Sequence, residues 1–279
     1  MEMAFFERTE RGFEPLPLAA SAWSPDMVNG PSICGLLAWA LEIEYGAPGF
    51  VPARLTVDLF RPTLRKPVEV VTTPVRAGRR IVVADAELIQ GGEAVARATV
   101  VFLKRSEQPP GNLWTRAEQP APPPSDVLAG AGTHLWGSDA GWSESLAEHQ
   151  NDTRKRAWQR PPAPVLGEPP SPFVAAAELG ESASLMTNWG SAGIGFINAD
   201  LTLALSRPPR GPELGIEGDS HLSADGVAVG SATLFDHDGP FGTCVVTALA
   251  NAARQVDFTS EEQLRDHALR RAEAARNSR

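Results

Sequence analysis

The sequence carries one ten-residue pattern twice, and this internal repeat constrains the fold more than any other feature. Residues 53–62 read Ala-Arg-Leu-Thr-Val-Asp-Leu-Phe-Arg-Pro, and residues 199–208 read Ala-Asp-Leu-Thr-Leu-Ala-Leu-Ser-Arg-Pro, so six of ten positions agree at an offset of 146. The same offset, without a gap, aligns Ala86 with Ala232, Leu88 with Leu234 and Leu103 with Leu249. A register held over about fifty residues indicates an internal duplication. Because two copies are too few for a solenoid, we expect the halves to close on each other as one pseudo-symmetric body.

The composition is that of a globular protein. With 279 residues, 42% of them hydrophobic and 21% charged, the chain can bury a sizeable core, and disorder throughout is excluded. The formal charge of -9 argues against a nucleic-acid partner, because phosphates would be repelled by a net acidic surface.

The chain shows neither a targeting segment nor a membrane span. Its first fifteen residues contain no apolar run typical of a signal peptide, and no window reaches eighteen apolar residues. We therefore expect a soluble, cytoplasmic protein. Cys34 and Cys244 lie in apolar surroundings without a CxxC motif, so buried reduced thiols are expected rather than a disulfide or a zinc site. The scattered histidines do not favour a metal site either.

Each half reads as a helix followed by antiparallel strands. The first helix is expected over 31–44, capped by Asn29 or Gly30 and stopped by Gly46, and its nearly all-apolar circumference predicts that it is enclosed. The strands expected after it are 54–60, 68–75, 80–90 and 94–103. In the second half the expected elements are a helix over 173–186 and strands over 194–206, 214–223, 226–236 and 242–250.

A proline-rich segment separates the two halves. Residues 104–172 hold 12 of the 25 prolines and four tryptophans, which predicts a long surface linker pinned in places to the body. The predicted organisation is an N-terminal unit over 1–104, a linker over 105–172, a C-terminal unit over 173–256 and a helical tail over 257–279. The tail has a possible capping box at Ser260 and Gln263, followed by a charged helix over 264–275.

Several short motifs, in order, resemble one known family. They are Asn29-Gly30-Pro31; Ala53 to Val57 with Arg61-Pro62; Gly78-Arg79-Arg80; Phe196 to Thr202 with Arg207-Pro208-Pro209; and Asp225-Gly226-Val227 with Asp236 and Gly239-Pro240. Over 28–104 and 173–250 the chain resembles the type II, TesB-like acyl-CoA thioesterases. The resemblance implies an α+β double hotdog, in which two helix-wrapped antiparallel sheet units are fused in one chain. It also implies hydrolysis of fatty acyl thioesters in lipid metabolism.

The resemblance also implies the site residues. In that family an Asp, a Ser or Thr and a Gln hold the attacking water, and the matching positions are Asp200, Ser220 and either Val246 or Thr247. Neither of the last two is Gln, which puts full activity in question, although the Thr247 hydroxyl could partly replace the amide. Subtracting 146 from these four numbers gives Arg54, Pro74, Val100 and Val101, none of which can act as a base, so we expect at most one site per chain.

The remaining implications concern the substrate and partners. Backbone amides of Gly30, Ser32 and Ile33, at the start of the first helix, are candidate oxyanion donors. Acyl-CoA is the expected small-molecule substrate, with coenzyme A as part of it and no further cofactor. A homodimer is expected, since exposed sheet edges tend to pair.

Other interpretations stay open. The chain could be an acyl or acyl-CoA binding protein that lost the chemistry along with the Gln. Asp200 could cap a turn or pair with Arg207, and Arg61 and Arg207 are best explained by structural salt bridges. Ser220-His221 suggests a serine hydrolase only weakly, because a GxSxG motif is absent.

Overall fold

The computed structural model describes residues 3–260. Its α-helices are α1 (Gly30–Tyr45), α2 (Ser125–Leu128), α3 (Pro172–Glu181) and α4 (Ala183–Asn188). Its strands in the N-terminal unit are β1 (Ala4–Thr9), β2 (Gly12–Pro15), β3 (Phe50–Leu59), β4 (Glu69–Ala77), β5 (Ile81–Gln90) and β6 (Glu93–Lys104). The crossover segment adds β7 (His134–Ser138), β8 (Gly141–Ser143), β9 (Arg156–Gln159) and β10 (Ala163–Val165). The C-terminal unit holds β11 (Trp189–Gly190), β12 (Gly193–Ile194), β13 (Phe196–Asn198), β14 (Asp200–Leu205), β15 (Leu214–Ala224), β16 (Val227–Asp236) and β17 (Gly239–Ala250).

One 12-stranded sheet runs through both units. Its order is β4-β5-β6-β3-β14-β17-β16-β15-β9-β7-β8, with β13 also paired to β17. The units join where β3 and β14 run antiparallel, and there Thr56 lies opposite Thr202. The difference of these two numbers, 202 − 56, is the repeat offset of 146, so the pseudo-two-fold axis passes through this pair. The predicted duplication and double hotdog are therefore confirmed.

Helix α1 forms where the sequence predicted it. Asn29 is its N-cap, because the Asn29 side chain accepts a hydrogen bond from the Ser32 N–H at 3.0 Å, and Pro31 fills the first turn. Nine of its residues are buried, including Leu36, Leu37 and Leu41. Burying each such leucine stabilises the fold by about 1.5–3 kcal/mol, so the enclosure predicted from its apolar circumference is a main source of stability.

The second central helix is interrupted. The sequence predicted one helix over 173–186, but the structure breaks it at Ser182 into α3 and α4. Ser171 caps α3 by accepting a hydrogen bond from the Val174 N–H at 3.2 Å. Helix α3 packs directly against α1, and the sheet wraps around the pair. A cleft forms at one end of this helix contact.

The segment expected to be a linker is partly built into the sheet. Strands β9, β7 and β8 extend the sheet beyond β15, and β10 pairs in parallel with β1. Trp158 packs on Phe235 with ring centroids 5.8 Å apart, and Trp136 packs on Trp189 at 6.1 Å, which confirms the predicted pinning at these two positions. Trp114 is 89% exposed and is not pinned.

Other predictions are settled by single contacts. Both cysteines are free and buried. Arg207 forms a two-pronged salt bridge with the fully buried Asp236, at 2.6 and 2.7 Å, and Arg61 pairs with Glu93 on the surface, so the structural interpretation of both arginines is confirmed. Strands β1 and β2 were not predicted. The helix predicted over 264–275 lies outside the described residues.

Candidate active site

A cleft of about 200 Å³ opens at the amino-terminal end of α1. Both units contribute to its walls, which include Gly30 and Ile33 of α1, Glu181 of α3, and Asn198 of β13. Phe60, just after β3, lines another part of the wall. The cleft therefore exists only because the two halves of the duplication have closed on each other.

Glu181 is the ionisable group of this cleft. Its side chain is 8% exposed, and burial raises its pKa from the ordinary 4.5 to about 7. Asn198 Nδ2 donates a hydrogen bond to Glu181 Oε1 at 3.1 Å, which favours the charged form and partly offsets that rise. A carboxyl with a pKa near neutrality exchanges protons readily at physiological pH, as a general base must.

Gly30 faces this carboxyl from the first position of α1. A Cβ added at Gly30 would overlap Glu181 Oε1, so any larger residue here would displace the carboxylate. The Gly30 N–H has no hydrogen-bond acceptor among residues 3–260. Helix amino termini favour negative charge, so this end of α1 is suited both to the Glu181 carboxylate and to a developing oxyanion.

The other two candidate oxyanion donors are placed differently. The Ser32 N–H already donates to the Asn29 side chain at 3.0 Å, and Ser32 is fully buried. Ile33 lines the cleft, but its N–H lies 3.5 Å from the Asn29 carbonyl oxygen. Of the three candidates, Gly30 alone combines a place in the cleft wall with an N–H that has no acceptor in the described chain.

Asp200 and Thr247 lie together. Asp200 Oδ1 accepts a hydrogen bond from the Thr247 N–H at 2.7 Å, and Asp200 Oδ2 accepts one from Thr247 Oγ1, also at 2.7 Å. This contact lies where β13 gives way to β14, next to Asn198, and there the Ala199 N–H also donates to the Thr247 carbonyl at 2.9 Å. Val246, the other candidate for the Gln position, is fully buried in the core. The hydroxyl of Thr247 is thus the group that accompanies Asp200.

Ser220 is not brought to Asp200. It lies on β15, in register with Ser231 of β16, Val245 of β17 and Thr202 of β14, and its hydroxyl contacts the Ser231 hydroxyl at 2.8 Å. Three strand spacings amount to about 14 Å, far beyond a shared water. The expectation that Asp200 and Ser220 converge on one water is therefore corrected: sequence spacing placed both on the sheet but could not supply the number of strands between them.

A second carboxyl lies one turn before Glu181 on the same face of α3. Glu178 is 1% exposed, and neither of its oxygens has a hydrogen-bond partner within the described chain. Burial raises its pKa well above the ordinary value and so favours the protonated form. Its side chain packs on Gly35 of α1, where a Cβ would overlap it. The two glutamates thus explain why α1 carries glycine at positions 30 and 35.

The site occurs in one unit. The N-caps Asn29 and Ser171 are 142 residues apart (171 − 29), and subtracting 142 from 181 gives Trp39. Trp39 places an indole at the equivalent point, where its Nε1 donates to Glu168 Oε2 at 3.1 Å. An indole cannot act as a base, which agrees with the expectation of at most one site per chain.

Sequence reasoning missed Glu181 and Glu178. The available signal was two acids three residues apart in the largely apolar predicted helix 173–186, where a charge is costly to bury. That pattern marks both residues as unusual, but it contains no information about Gly30, which lies 151 residues earlier (181 − 30).

Comparison with known proteins identifies the family. Residues 19–103 match the acyl-CoA thioesterase N-terminal domain, and residues 116–250 match the acyl-CoA thioesterase C-terminal domain. The chain belongs to the acyl-CoA thioesterase family. The C-terminal match begins inside the crossover segment, in agreement with the strands that this segment adds to the sheet.

Solved structures share the fold of this thioesterase family member. A tesB protein of Mycobacterium avium subsp. paratuberculosis is 18% identical with a TM-score of 0.62, covering 88% of this chain and 95% of its own. The acyl-CoA thioesterase II TesB2 of Mycobacterium marinum is 16% identical with a TM-score of 0.59, covering 79% and 89%. A conserved hot dog fold protein of Alicyclobacillus acidocaldarius is 20% identical with a TM-score of 0.61, covering 82% and 90%. No curated protein sequence matches the chain.

Residues 3–260 of this thioesterase family member lack two further features. None of the helices in this range combines the length and apolar character needed to cross a bilayer. The same range contains no group of three or more His, Cys, Asp or Glu side chains that could hold a metal ion.

Proposed function

We propose that this chain hydrolyses fatty acyl-CoA thioesters in the cleft between α1 and α3, at one site per chain. The observation that carries the proposal is the Glu181 carboxyl, with a pKa of about 7, facing the amino terminus of α1. Coenzyme A enters as part of the substrate, and no other cofactor takes part.

In the proposed reaction, Glu181 transfers the protons and the amino terminus of α1 stabilises the oxyanion. Glu181 removes a proton from a water molecule while that water attacks the thioester carbonyl carbon. The carbonyl oxygen becomes an oxyanion, which the Gly30 N–H and the amino-terminal end of α1 stabilise. When the tetrahedral intermediate collapses, the carbon–sulfur bond breaks, and Glu181 returns the proton to the leaving thiolate. The products are the fatty acid and the free thiol of coenzyme A.

Asn198 and Asp200 support this arrangement. Asn198 donates to Glu181 and so fixes the direction in which the carboxylate points. Asp200, two residues after Asn198, accepts two hydrogen bonds from Thr247 of β17. These bonds hold β14 against β17 beside Asn198. The role expected for Asp200 from the family resemblance, to position the water itself, is the competing assignment that the experiment must separate from Glu181.

The test measures release of free thiol from acyl-CoA substrates of several chain lengths. We expect Glu181→Gln to lower kcat by about 10²–10⁴-fold. The wild-type kcat/KM should rise with pH through an apparent pKa of about 7, since the base must be ionised. Glu178→Gln, one turn away on the same face, is the matched control and should keep most of the activity.

Asp200→Ala separates the two assignments. If Asp200 only holds the strands, its loss should lower activity less than Glu181→Gln and should lower Tm. Asp58, which lies opposite Asp200 in the sheet and pairs with Arg97, provides the control Asp58→Ala. If Glu181→Gln keeps the wild-type kcat while Asp200→Ala is inactive but stably folded, the catalytic base is Asp200 and not Glu181.

A second candidate function is acyl or acyl-CoA binding without turnover. It is favoured by Thr247, which stands beside Asp200 where the family resemblance leads one to expect Gln. Saturable binding of acyl-CoA with no thiol release at any chain length would support it. Gain of activity in Thr247→Gln would show that the scaffold retains the rest of the catalytic apparatus.

A further inference from the structure

We propose that one corner of the N-terminal unit binds the surface of an anionic lipid bilayer. The corner is the end of the sheet where β4 turns into β5 and where β6 ends. It carries six exposed cations, which together we call the basic corner: Arg54, Arg76, Arg79, Arg80, Lys104 and Arg105. The proposed hydrolysis uses none of them.

Backbone hydrogen bonds bring the turn and the end of β6 together. The Gly78 N–H donates to the Ile81 carbonyl at 3.0 Å, which closes a tight turn with Arg79 and Arg80 at its tip. The Lys104 N–H donates to the Arg80 carbonyl at 3.0 Å. Cations that are about 25 residues apart in the sequence are therefore neighbours at one edge of the molecule.

A row of residues across the sheet continues this surface. Arg54 of β3 lies opposite Val101 of β6. Val83 of β5 pairs with Val101 on one side and with Arg76 of β4 on the other. The row thus begins and ends with a cation and has two valines between them. The residue that follows each of Arg54, Val83 and Val101 is buried, so the row faces away from the core.

Two further apolar side chains project among the cations. Leu103, two residues after Val101 on the same face, is 40% exposed. Val75 is 57% exposed, because the register shifts between Pro74 and Arg76 and leaves Val75 as the extra residue of a β-bulge. Cations and exposed apolar groups therefore share one continuous surface.

The cations of the basic corner are not neutralised by the rest of the protein. Within residues 3–260, none of the six forms a salt bridge or a side-chain hydrogen bond. Asp85 lies one row nearer the cleft, but its carboxylate accepts a hydrogen bond from Thr99 Oγ1 at 2.6 Å. The chain carries a net charge of -9, so the six cations leave -15 on the remainder (-9 − 6). This charge asymmetry directs the basic corner toward an anionic surface.

The mixture of charge and apolar surface favours a bilayer. Peripheral membrane surfaces combine cations that attract anionic headgroups with apolar side chains that enter the boundary of the acyl chains. A nucleic-acid backbone would use the cations alone. Val51, opposite Leu103, and Leu59, which lines the cleft, are eight positions apart on β3 (59 − 51), or roughly 26 Å. The membrane-binding surface is therefore separate from the cleft.

The test is co-sedimentation of the full chain with extruded vesicles. One set contains phosphatidylcholine alone, and the other contains phosphatidylcholine and phosphatidylglycerol in equal parts. We expect binding to the second set only, with an affinity that falls as salt is added and screens the charges. Each cation near an anionic surface strengthens binding, so the triple variant Arg79→Gln, Arg80→Gln, Lys104→Gln should bind about 100-fold more weakly. Its Tm should equal that of the wild type, because these side chains have no partners in the described chain.

A second triple variant is the matched control. It removes the same charge from three exposed cations of the other half of the chain, each paired with a carboxylate: Arg154→Gln, Arg160→Gln, Arg210→Gln. This variant should keep wild-type binding. The double variant Val75→Ser, Leu103→Ser keeps all the charges and should bind about tenfold more weakly, because its apolar contact with the bilayer is lost.

Two results would overturn the inference. They are no binding to the anionic vesicles, and equal weakening of binding by the two triple variants, which would show an effect of net charge alone. If vesicles are not bound but an acidic carrier protein is, and only the variant of the basic corner weakens that binding, the surface belongs to a protein partner and not to a bilayer. Vesicle binding needs no substrate, so the result is independent of whether the chain releases thiol.

Discussion

Glu181 of α3 lies against Gly30 of α1, and the carboxylate occupies the space that any side chain at position 30 would fill. The two residues belong to different copies of the duplicated unit and are 151 positions apart (181 − 30). Their contact joins a buried base to a helix amino terminus. This contact is the basis of the proposed hydrolytic site.

Gly30→Ala tests the contact directly. The added Cβ overlaps Glu181 Oε1, so the carboxylate must move or the helices must separate. We expect a loss of stability of about 1–3 kcal/mol from overpacking, together with a large fall in kcat. Chemical denaturation and thiol release measure the two effects. Gly130→Ala, which adds a Cβ with no neighbouring atom within 4 Å, should change neither, and an active Gly30→Ala enzyme would contradict the proposed geometry.

The pKa of Glu181 makes stability depend on pH. Because burial raises this pKa from 4.5 to about 7, the folded protein binds more protons than the unfolded chain between these two values. The contribution of Glu181 is therefore fully present below pH 4.5 and is lost as pH rises to about 7, a change of about 3 kcal/mol. The free energy of unfolding of Glu181→Gln, measured against pH, should lack this component. Parallel curves for the two proteins would exclude the raised pKa.

Glu178 is expected to destabilise the fold. Its carboxyl is buried against Gly35 without a hydrogen-bond partner in the described chain, so an apolar side chain of similar length should pack there at lower cost. We expect Glu178→Met to raise the free energy of unfolding by about 1–3 kcal/mol. Glu44→Met, on the exposed end of α1, should stay within about 0.5 kcal/mol of wild type. A destabilised Glu178→Met protein would indicate that the carboxyl has a partner such as bound water.

The Arg207–Asp236 salt bridge should stabilise the fold far more than the neighbouring surface pair Arg210–Asp238. Asp236 is fully buried; burial alone would raise its pKa, but hydrogen bonds from Arg207 and from the Arg210 and Asp238 N–H groups hold that pKa below its ordinary value. Asp236→Ala removes a fully buried carboxylate that accepts hydrogen bonds from Arg207 and from the Arg210 and Asp238 N–H groups, so these donors lose their acceptor, and the change should cost about 3–5 kcal/mol. Asp238→Ala removes only the exposed partner of Arg210 and should cost less than about 1 kcal/mol. Urea denaturation measures the free energy of unfolding of both variants. Similar losses of stability would show that burial of the pair does not strengthen its contribution.

The sequence by itself determined the duplicated architecture. The 146-residue offset reappears in the strand register, where Thr56 lies opposite Thr202. The reason is that the alternating apolar residues which reveal the repeat are also the residues that each strand buries in the core. The cap at Asn29 and the enclosure of α1 were predictable for the same reason: each follows from residues close together along the chain.

Only the tertiary structure decided the site. The separation of Ser220 from Asp200 depends on how many strands lie between them, and the meeting of Gly30 with Glu181 depends on how two units pack. The pKa of Glu181 likewise depends on burial by residues distant in sequence. Local patterns fix which face of a helix or strand is apolar. Contacts between distant elements form only when the two units pack together, so no single stretch of the chain predicts which residues will meet.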